Sequence, residues 1–148
     1  GTSLGLTALY LASASKNSNV ITLEGDPQIA LQAQKNFNAL KKKNILLCTG
    51  KFEETLNSAL TLQDKTDLIF FDGNHREEAT LQYFQQSLHH ADERSIFIFD
   101  DIHWSRGMKK AWHIVQVNER VTITIDLFYL GIVFFRKELS KQHFVLRF

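Results

Sequence analysis

Two stretches constrain this chain more than any others. Asp67-Leu68-Ile69-Phe70-Phe71-Asp72 and Ser95-Ile96-Phe97-Ile98-Phe99-Asp100-Asp101 are nearly unbroken apolar runs closed by aspartate. A strand with one solvated face alternates apolar and polar residues. An unbroken run needs apolar neighbours on both faces, which a parallel sheet covered by helices supplies. Segments of helical spacing alternate with such runs, so the predicted class is α/β, a mostly parallel sheet with helices on both faces.

The pattern reads from the N-terminus as helix, four strand–helix units and a closing strand pair. Leu6 to Ser15 is rich in Leu and Ala and reads as a helix. Val20 to Glu24 is a short β-branched strand. Asp26-Pro27 is an N-cap with proline at the first helical position, opening a helix to about Leu40 with Lys41-Lys42-Lys43 after it. Asn44 to Thr49 is a strand and Phe52 to Leu60 a short helix. Asp67 to Asp72 and Ser95 to Phe99 are followed by helices over Arg76 to about His90 and Trp104 to about Gln116. Val121 to Asp126 and Leu130 to Phe135 are separated too briefly for a parallel crossover, which predicts an antiparallel pair. The tail from Lys141 to Phe148 alternates apolar and polar residues, which suits either an extra edge strand or a partner contact.

The chain has 148 residues, the size of one domain, and a formal net charge of +1, which points to neither nucleic acid nor a membrane surface. Lys41 to Lys43 is the one basic run, and a solvated helix end accounts for it. Cys48 is the single cysteine, which excludes an intramolecular disulfide and suits a reducing, cytoplasmic setting. No apolar run approaches the ~20 residues of a membrane span. Gly1 stands in a glycine turn with no Met before it, and from this we expect the chain to begin inside a larger domain or after a proteolytic cut.

Three predicted strands end in acid: Glu24, Asp72 and Asp100. In an open parallel sheet these ends share one edge, the edge at which ligands bind. Asp26 and Asp101 also read as caps of the helices that follow. Gly1-Thr2-Ser3-Leu4-Gly5 opens a helix, where glycines let the backbone approach a ligand and free N–H groups await it. Glu24 follows Gly5 by about 20 residues, the spacing at which a carboxylate accepts both hydroxyls of a ribose. An adenosine-containing ligand is the first inference. The full G-x-G-x-x-G of dinucleotide binders is missing, which argues against a pyrophosphate.

These residues resemble the class I S-adenosylmethionine-dependent methyltransferases, specifically the small-molecule O-methyltransferases. Gly-Thr-Ser-x-Gly is similar to their first motif, Val20 to Pro27 to the second-strand motif, Asp67 to His75 to the fourth and Ser95 to Trp104 to the fifth. The Val121–Phe135 pair resembles the antiparallel last strand that marks the fold. The resemblance runs from Gly1 to about Phe135 and implies a Rossmann-like sheet with an antiparallel last strand. It gives 1–148 as a single methyltransferase-like domain that lacks, at its N-terminus, the family's central first strand and the acid at its end.

The implied activity is methyl transfer from S-adenosylmethionine to a small-molecule acceptor at oxygen. The resemblance puts the cofactor on Gly1, Thr2, Ser3, Gly5, Glu24, Gly25, Asp26, Lys51, Phe52 and Asp72. Phe52 also reads, and somewhat better, as a core residue at the start of its short helix. Catechol-type and caffeoyl-coenzyme A-type relatives hold a divalent metal on an Asp after strand four and an Asp-Asn pair after strand five. The matching residues here are Asp72, Asp100 and Asp101, with Asp in place of Asn, so a divalent metal such as Mg is implied at an altered site. Crowded carboxylates need such a cation or raised pKa values. The catalytic roles fall on Asp72 and His75, the histidine standing where catechol-type enzymes carry a lysine base; it also reads as a surface histidine at a helix start. Trp104 either walls the acceptor or covers the sheet edge, and His89, His90, His113 and His143 read as ordinary helix or tail residues. Two rival functions are weighed. A NAD(P)-dependent reductase lacks its G-x-G-x-x-G and Tyr-x-x-x-Lys here, and a non-catalytic binding module would keep the fold alone. No nucleic-acid or membrane partner is expected, and a homo-oligomer is left open.

Overall fold

A computed structural model describes residues 1–147. The chain divides into two units, Gly1–Leu62 and Gln63–Phe148. The first holds α1 (Leu6–Ala14), β1 (Val20–Glu24), α2 (Pro27–Ala39), β2 (Ile45–Thr49) and α3 (Phe52–Thr61). The second holds β3 (Leu68–Phe71), α4 (Glu77–Leu88), β4 (Ile96–Asp100), α5 (Arg106–Val117), β5 (Ile123–Asp126), β6 (Leu130–Phe134) and β7 (Gln142–Val145). Each predicted element is present, with ends shifted by one or two residues. Among the described residues no helix is long and apolar enough to cross a membrane.

In the first unit β1 and β2 pair in parallel, from Val20 opposite Ile45 to Glu24 opposite Thr49. Val20, Ile45 and Leu47 share one face and pack on Ala8 and Leu9 of α1 and Ala33 and Phe37 of α2. Strand alternation sends Ile21, Leu23 and Cys48 to the other face, and α3 also lies against both strands. Asp26 caps α2 as predicted, its Oδ1 accepting from Gln28 N at 2.7 Å and Ile29 N at 3.3 Å. Asn44 fastens the other end, its Nδ2 donating to the carbonyls of Ala12 at 3.0 Å and Ser18 at 2.9 Å. Gly5 starts α1 at φ 86, and a Cβ there would fall 2.3 Å from the Phe37 ring. Gly5→Ala therefore meets both left-handed strain and a clash, and is expected to cost about 2–4 kcal/mol of stability, read from the urea midpoint.

The second unit is a five-stranded sheet in the order β3-β4-β6-β5-β7. β3 and β4 are parallel, β6 runs antiparallel to both β4 and β5, and β7 is parallel to β5. Thus β3, β4, β5 and β7 point the same way, with β6 reversed among them. The tail resolves to the edge strand of its two readings. Among the described residues the ladders are those of a two-stranded and a five-stranded sheet, mostly parallel and flanked by helices as the alternation predicts.

One face of the five-stranded sheet carries an aromatic core. Phe97 is fully buried and meets Phe71, Phe84 and Phe135 edge-on, with centroids 5.5, 6.3 and 4.8 Å away. Phe99 stacks on Phe71 at 4.4 Å. Trp112 of α5 lies over Gly131, where a Cβ would approach the indole to 2.6 Å. The cap of α5 is Ser105, which accepts from Met108 N at 3.1 Å. This corrects the cap reading of Asp101, which stands ahead of that turn at φ 55.

Candidate functional site

Glu24 organises the C-terminal edge of the first unit. Its Oε2 accepts the backbone N–H of Ser3 at 2.8 Å and its Oε1 that of Asp26 at 3.0 Å. Each oxygen keeps a lone pair beyond the bond it makes, so the carboxylate is fixed in place yet able to accept two more donors. Three further bonds gather loops around it. Thr2 N donates to Leu23 O at 2.8 Å, Gly5 N to Thr2 O at 2.9 Å, and Gly50 N to Glu24 O at 2.8 Å. Ser3 at φ 51 and Gly5 at φ 86 bend the first loop into the N-terminus of α1. At Gly25 a side chain would meet nothing within 4 Å, so the space beside Glu24 is open.

The other candidates of this unit divide by what their side chains already do. The Thr2 hydroxyl is buried and lies 2.8 Å from that of Thr22, so only its backbone can serve a ligand. Asp26 Oδ1 is committed to the cap of α2. Lys51 is the exposed N-cap of α3, and Phe52, half-buried, opens that helix. This set fits an adenosine-type cofactor through Glu24, the Gly1–Gly5 loop and the open space at Gly25.

In the second unit Asp72, after β3, and Asp100, at the end of β4, lie at one edge with His75. One ligand atom from each of the three falls within 4.8 Å of the others. His75 Nε2 is 3.6 Å from Asp72 Oδ1, and its Nδ1 is 3.9 Å from Asp101 Oδ2. Asp101 therefore stands beside the histidine rather than within the group of three. Burial pushes the Asp100 carboxyl above the usual aspartate range, the negative charges of Asp72 and Asp101 push it further, and a hydrogen bond with Asp72 adds to this. Two neighbouring carboxylates are a set that a cation can hold, and the donors suit a divalent ion.

The raised pKa has a consequence for stability. Ionised Asp100 is disfavoured in the folded chain, so its cost is absent below the unfolded aspartate value of about 3.9 and grows as pH rises toward the folded one. Asp100→Asn is expected to raise the melting temperature at pH 7 and to leave it unchanged near pH 3, as scanning calorimetry would read.

Trp104 is 75 % exposed, so it covers neither sheet edge nor core. A fourth strand-end acid, Asp126, escapes the sequence reading, because only the strand order shows that β5 runs with β3 and β4. It pairs with His103, Nε2 to Oδ2 at 2.7 Å. His143, read as an ordinary tail residue, lies with Nδ1 2.8 Å from the Thr124 hydroxyl. A depression of about 780 Å³ is lined by Lys65, Asp92, Arg120 and Lys137 among others. These residues flank the opposite ends of the strands, away from the acids.

The comparisons with known proteins bear on the fold and the family. A family model described as a methyltransferase domain matches residues 1–102. No curated protein is detectably similar in sequence. Solved structures with the same fold include the SAH-bound methyltransferase PaMTH1 of Podospora anserina, with TM-score 0.77 and 18% identity over 91% of this chain and 69% of that one. The O-methyltransferase of Bacillus cereus in complex with SAH gives TM-score 0.74 and 19% identity over 90% and 71%. TomG, an O-methyltransferase from Streptomyces achromogenes in complex with SAM, gives 0.75 and 16% over 91% and 70%. The family match spans the glycine loop, Glu24, Asp72 and Asp100 alike, well over half of the sequence, and the chain belongs to the methyltransferase-domain family.

Proposed function

We propose that the chain transfers a methyl group from S-adenosylmethionine to an oxygen of a small-molecule acceptor, in the cytoplasm. The observation that carries this reading is the Glu24 carboxylate, held by Ser3 N and Asp26 N with one lone pair free on each oxygen. Such a group accepts the two hydroxyls of a ribose, each charge-assisted bond contributing about 1.5–3 kcal/mol. The Gly1–Gly5 loop would receive the amino-acid end of the cofactor, and Gly25, Asp26, Lys51 and Phe52 would border the adenine. When bound, S-adenosylmethionine supplies an already activated methyl on a sulfonium, so the chain's task is to position and to manage one proton.

That proton belongs to the acceptor hydroxyl. As the new carbon–oxygen bond forms and the carbon–sulfur bond breaks, the hydroxyl must lose its hydrogen. His75 is the acceptor for it, its ring standing 3.6 Å from Asp72 Oδ1 and 3.9 Å from Asp101 Oδ2. Asp72 and Asp100, the two carboxylates of that group, would hold a divalent ion. When bound, such an ion lowers the pKa of a hydroxyl beside it.

Calorimetric titration of S-adenosylhomocysteine tests the cofactor half, with saturable micromolar binding expected. A second titration with magnesium and with manganese tests the metal half. Wild type is expected to bind one of them, and Asp72→Asn combined with Asp100→Asn to lose it by at least about tenfold. Equal binding by the double variant would remove the metal from the proposal.

A further inference from the structure

The edge of the first unit opposite Glu24 is basic. β1 starts at Val20 and β2 at Ile45, so the residues just before them lie one strand length, about 13 Å, from the edge at which Glu24 stands. A depression of about 480 Å³ opens there, lined by Lys16, Lys42, Lys43, Asn19, Asn44 and two serines, with Ala12 as its one apolar residue. No carboxylate lines it. The acids of this unit are Glu24, Asp26, Glu53 and Glu54. They belong to the end of β1 and the starts of α2 and α3, at the other edge.

A lysine at a helix C-terminus ordinarily meets the carbonyls left open there. Here other groups have taken them. At the end of α2 the backbone N–H groups of Leu40, Lys41 and Lys42 donate to the carbonyls of Asn36, Asn38 and Phe37 at 3.1, 3.0 and 3.0 Å. At the end of α1 the Leu9 carbonyl accepts from Ser13 Oγ at 2.6 Å, that of Ala12 from Asn44 Nδ2 at 3.0 Å and that of Ser15 from Ser18 Oγ at 2.7 Å. Among the described residues the ammonium groups of Lys16, Lys42 and Lys43 have no hydrogen bond or ion pair. The two helices place about half a negative charge each at this edge, about one in all. Three ammoniums line the depression, so its charge stays positive.

The frame around them is preset. Lys41 follows α2 at φ 52, in a position that glycine or asparagine takes more readily. That left-handed residue turns the chain so that Lys42 and Lys43 line the depression together with Lys16 of the first loop. Asn44 Nδ2 ties the two sides together through Ala12 O and Ser18 O.

The lining also selects the ligand. Sites for apolar molecules are walled mainly by hydrophobic side chains, and this one is not. Lysine binds phosphate as a point charge on a flexible stem. A single carboxylate brings one charge. A diphosphate brings several, spread over two phosphorus centres, and so matches three separate ammoniums.

We propose that Lys16, Lys42 and Lys43 form a site for the diphosphate group of a soluble small molecule, at the edge of the first unit opposite Glu24. The site is separate from the methyl-transfer reading and stands without it.

The test titrates inorganic pyrophosphate into the full chain at low salt and follows the backbone amide signals by NMR. Divalent metal is left out, so that no ion can carry the probe to the Asp72–Asp100 edge. Wild type should saturate with a Kd below about 1 mM, with the largest shifts over residues 13–19 and 42–44. Lys42→Gln combined with Lys43→Gln should weaken binding at least about tenfold, and Lys16→Gln at least about threefold. Lys35→Gln lies on α2 but outside the depression, makes the same kind of charge change and should stay within about twofold of wild type. Inorganic phosphate, with one phosphorus centre, should bind at least about fivefold more weakly than pyrophosphate. Sedimentation with phosphatidic acid vesicles separates a soluble ligand from a lipid headgroup, and the chain should stay in the supernatant. Largest shifts elsewhere, equal affinity for phosphate and pyrophosphate, a loss in Lys35→Gln as large as in the double variant, or co-sedimentation that the double variant abolishes each overturns the proposal.

Discussion

Glu24→Ala lowers the affinity for S-adenosylhomocysteine at least about 100-fold. The estimate follows from two charge-assisted bonds at the low end of about 1.5–3 kcal/mol each, roughly 3 kcal/mol together. A second loss adds to it, since the same carboxylate holds Ser3 N and Asp26 N and thereby fixes both neighbouring loops. Glu24→Gln keeps the size but turns one acceptor into a donor facing a backbone N–H, so it should lose about tenfold or more. Calorimetry reads both, with circular dichroism confirming that the variants fold. Affinity within threefold of wild type in Glu24→Ala would mean that the ribose is not held here.

Phe97→Ala should cost about 3–5 kcal/mol, the range for emptying a buried aromatic site. Phe97 has no exposed surface and touches the rings of Phe71 in β3, Phe84 in α4 and Phe135 just after β6, so none can move into the space without leaving its own contacts. For a unit of this size the melting temperature should fall by about 12–40 °C. Leu68→Ala, on β3 but 38% exposed, should cost less than about 1.5 kcal/mol. Equal losses from the two would mean that the aromatic cluster is not the organising core of the second unit.

Much of the fold was legible because its signals are local. The apolar runs at Leu68–Phe71 and Ile96–Asp100, the Asp26-Pro27 cap and the short link between β5 and β6 each act through a few adjacent residues. Legibility at the site follows the same line. Glu24 was readable because its partners, Ser3 and Asp26, are tied to it by a fixed spacing and a fixed turn. The group of Asp72, His75 and Asp100 was partly readable: two strand-end acids were visible, while the histidine's place between Asp72 and Asp101 depends on loop geometry. Asp101 looked like a cap and is not one, because Ser105 sits closer to the helix and takes the N–H. His103 with Asp126 was not readable at all, since 23 residues and a reversed strand separate them.

The sequence by itself determined the class, the order of elements and the residues that crowd the C-terminal strand edges. Those follow from hydrophobic periodicity, backbone propensity and short-range hydrogen bonding, which act within a few residues. Only the tertiary structure decided that β6 inserts between β4 and β5, and that Asp126 joins the acids' edge with Phe128 left strained and exposed. Those outcomes rest on strand pairing and ring packing between segments far apart in the chain, and no local spacing records which distant partner a strand will take.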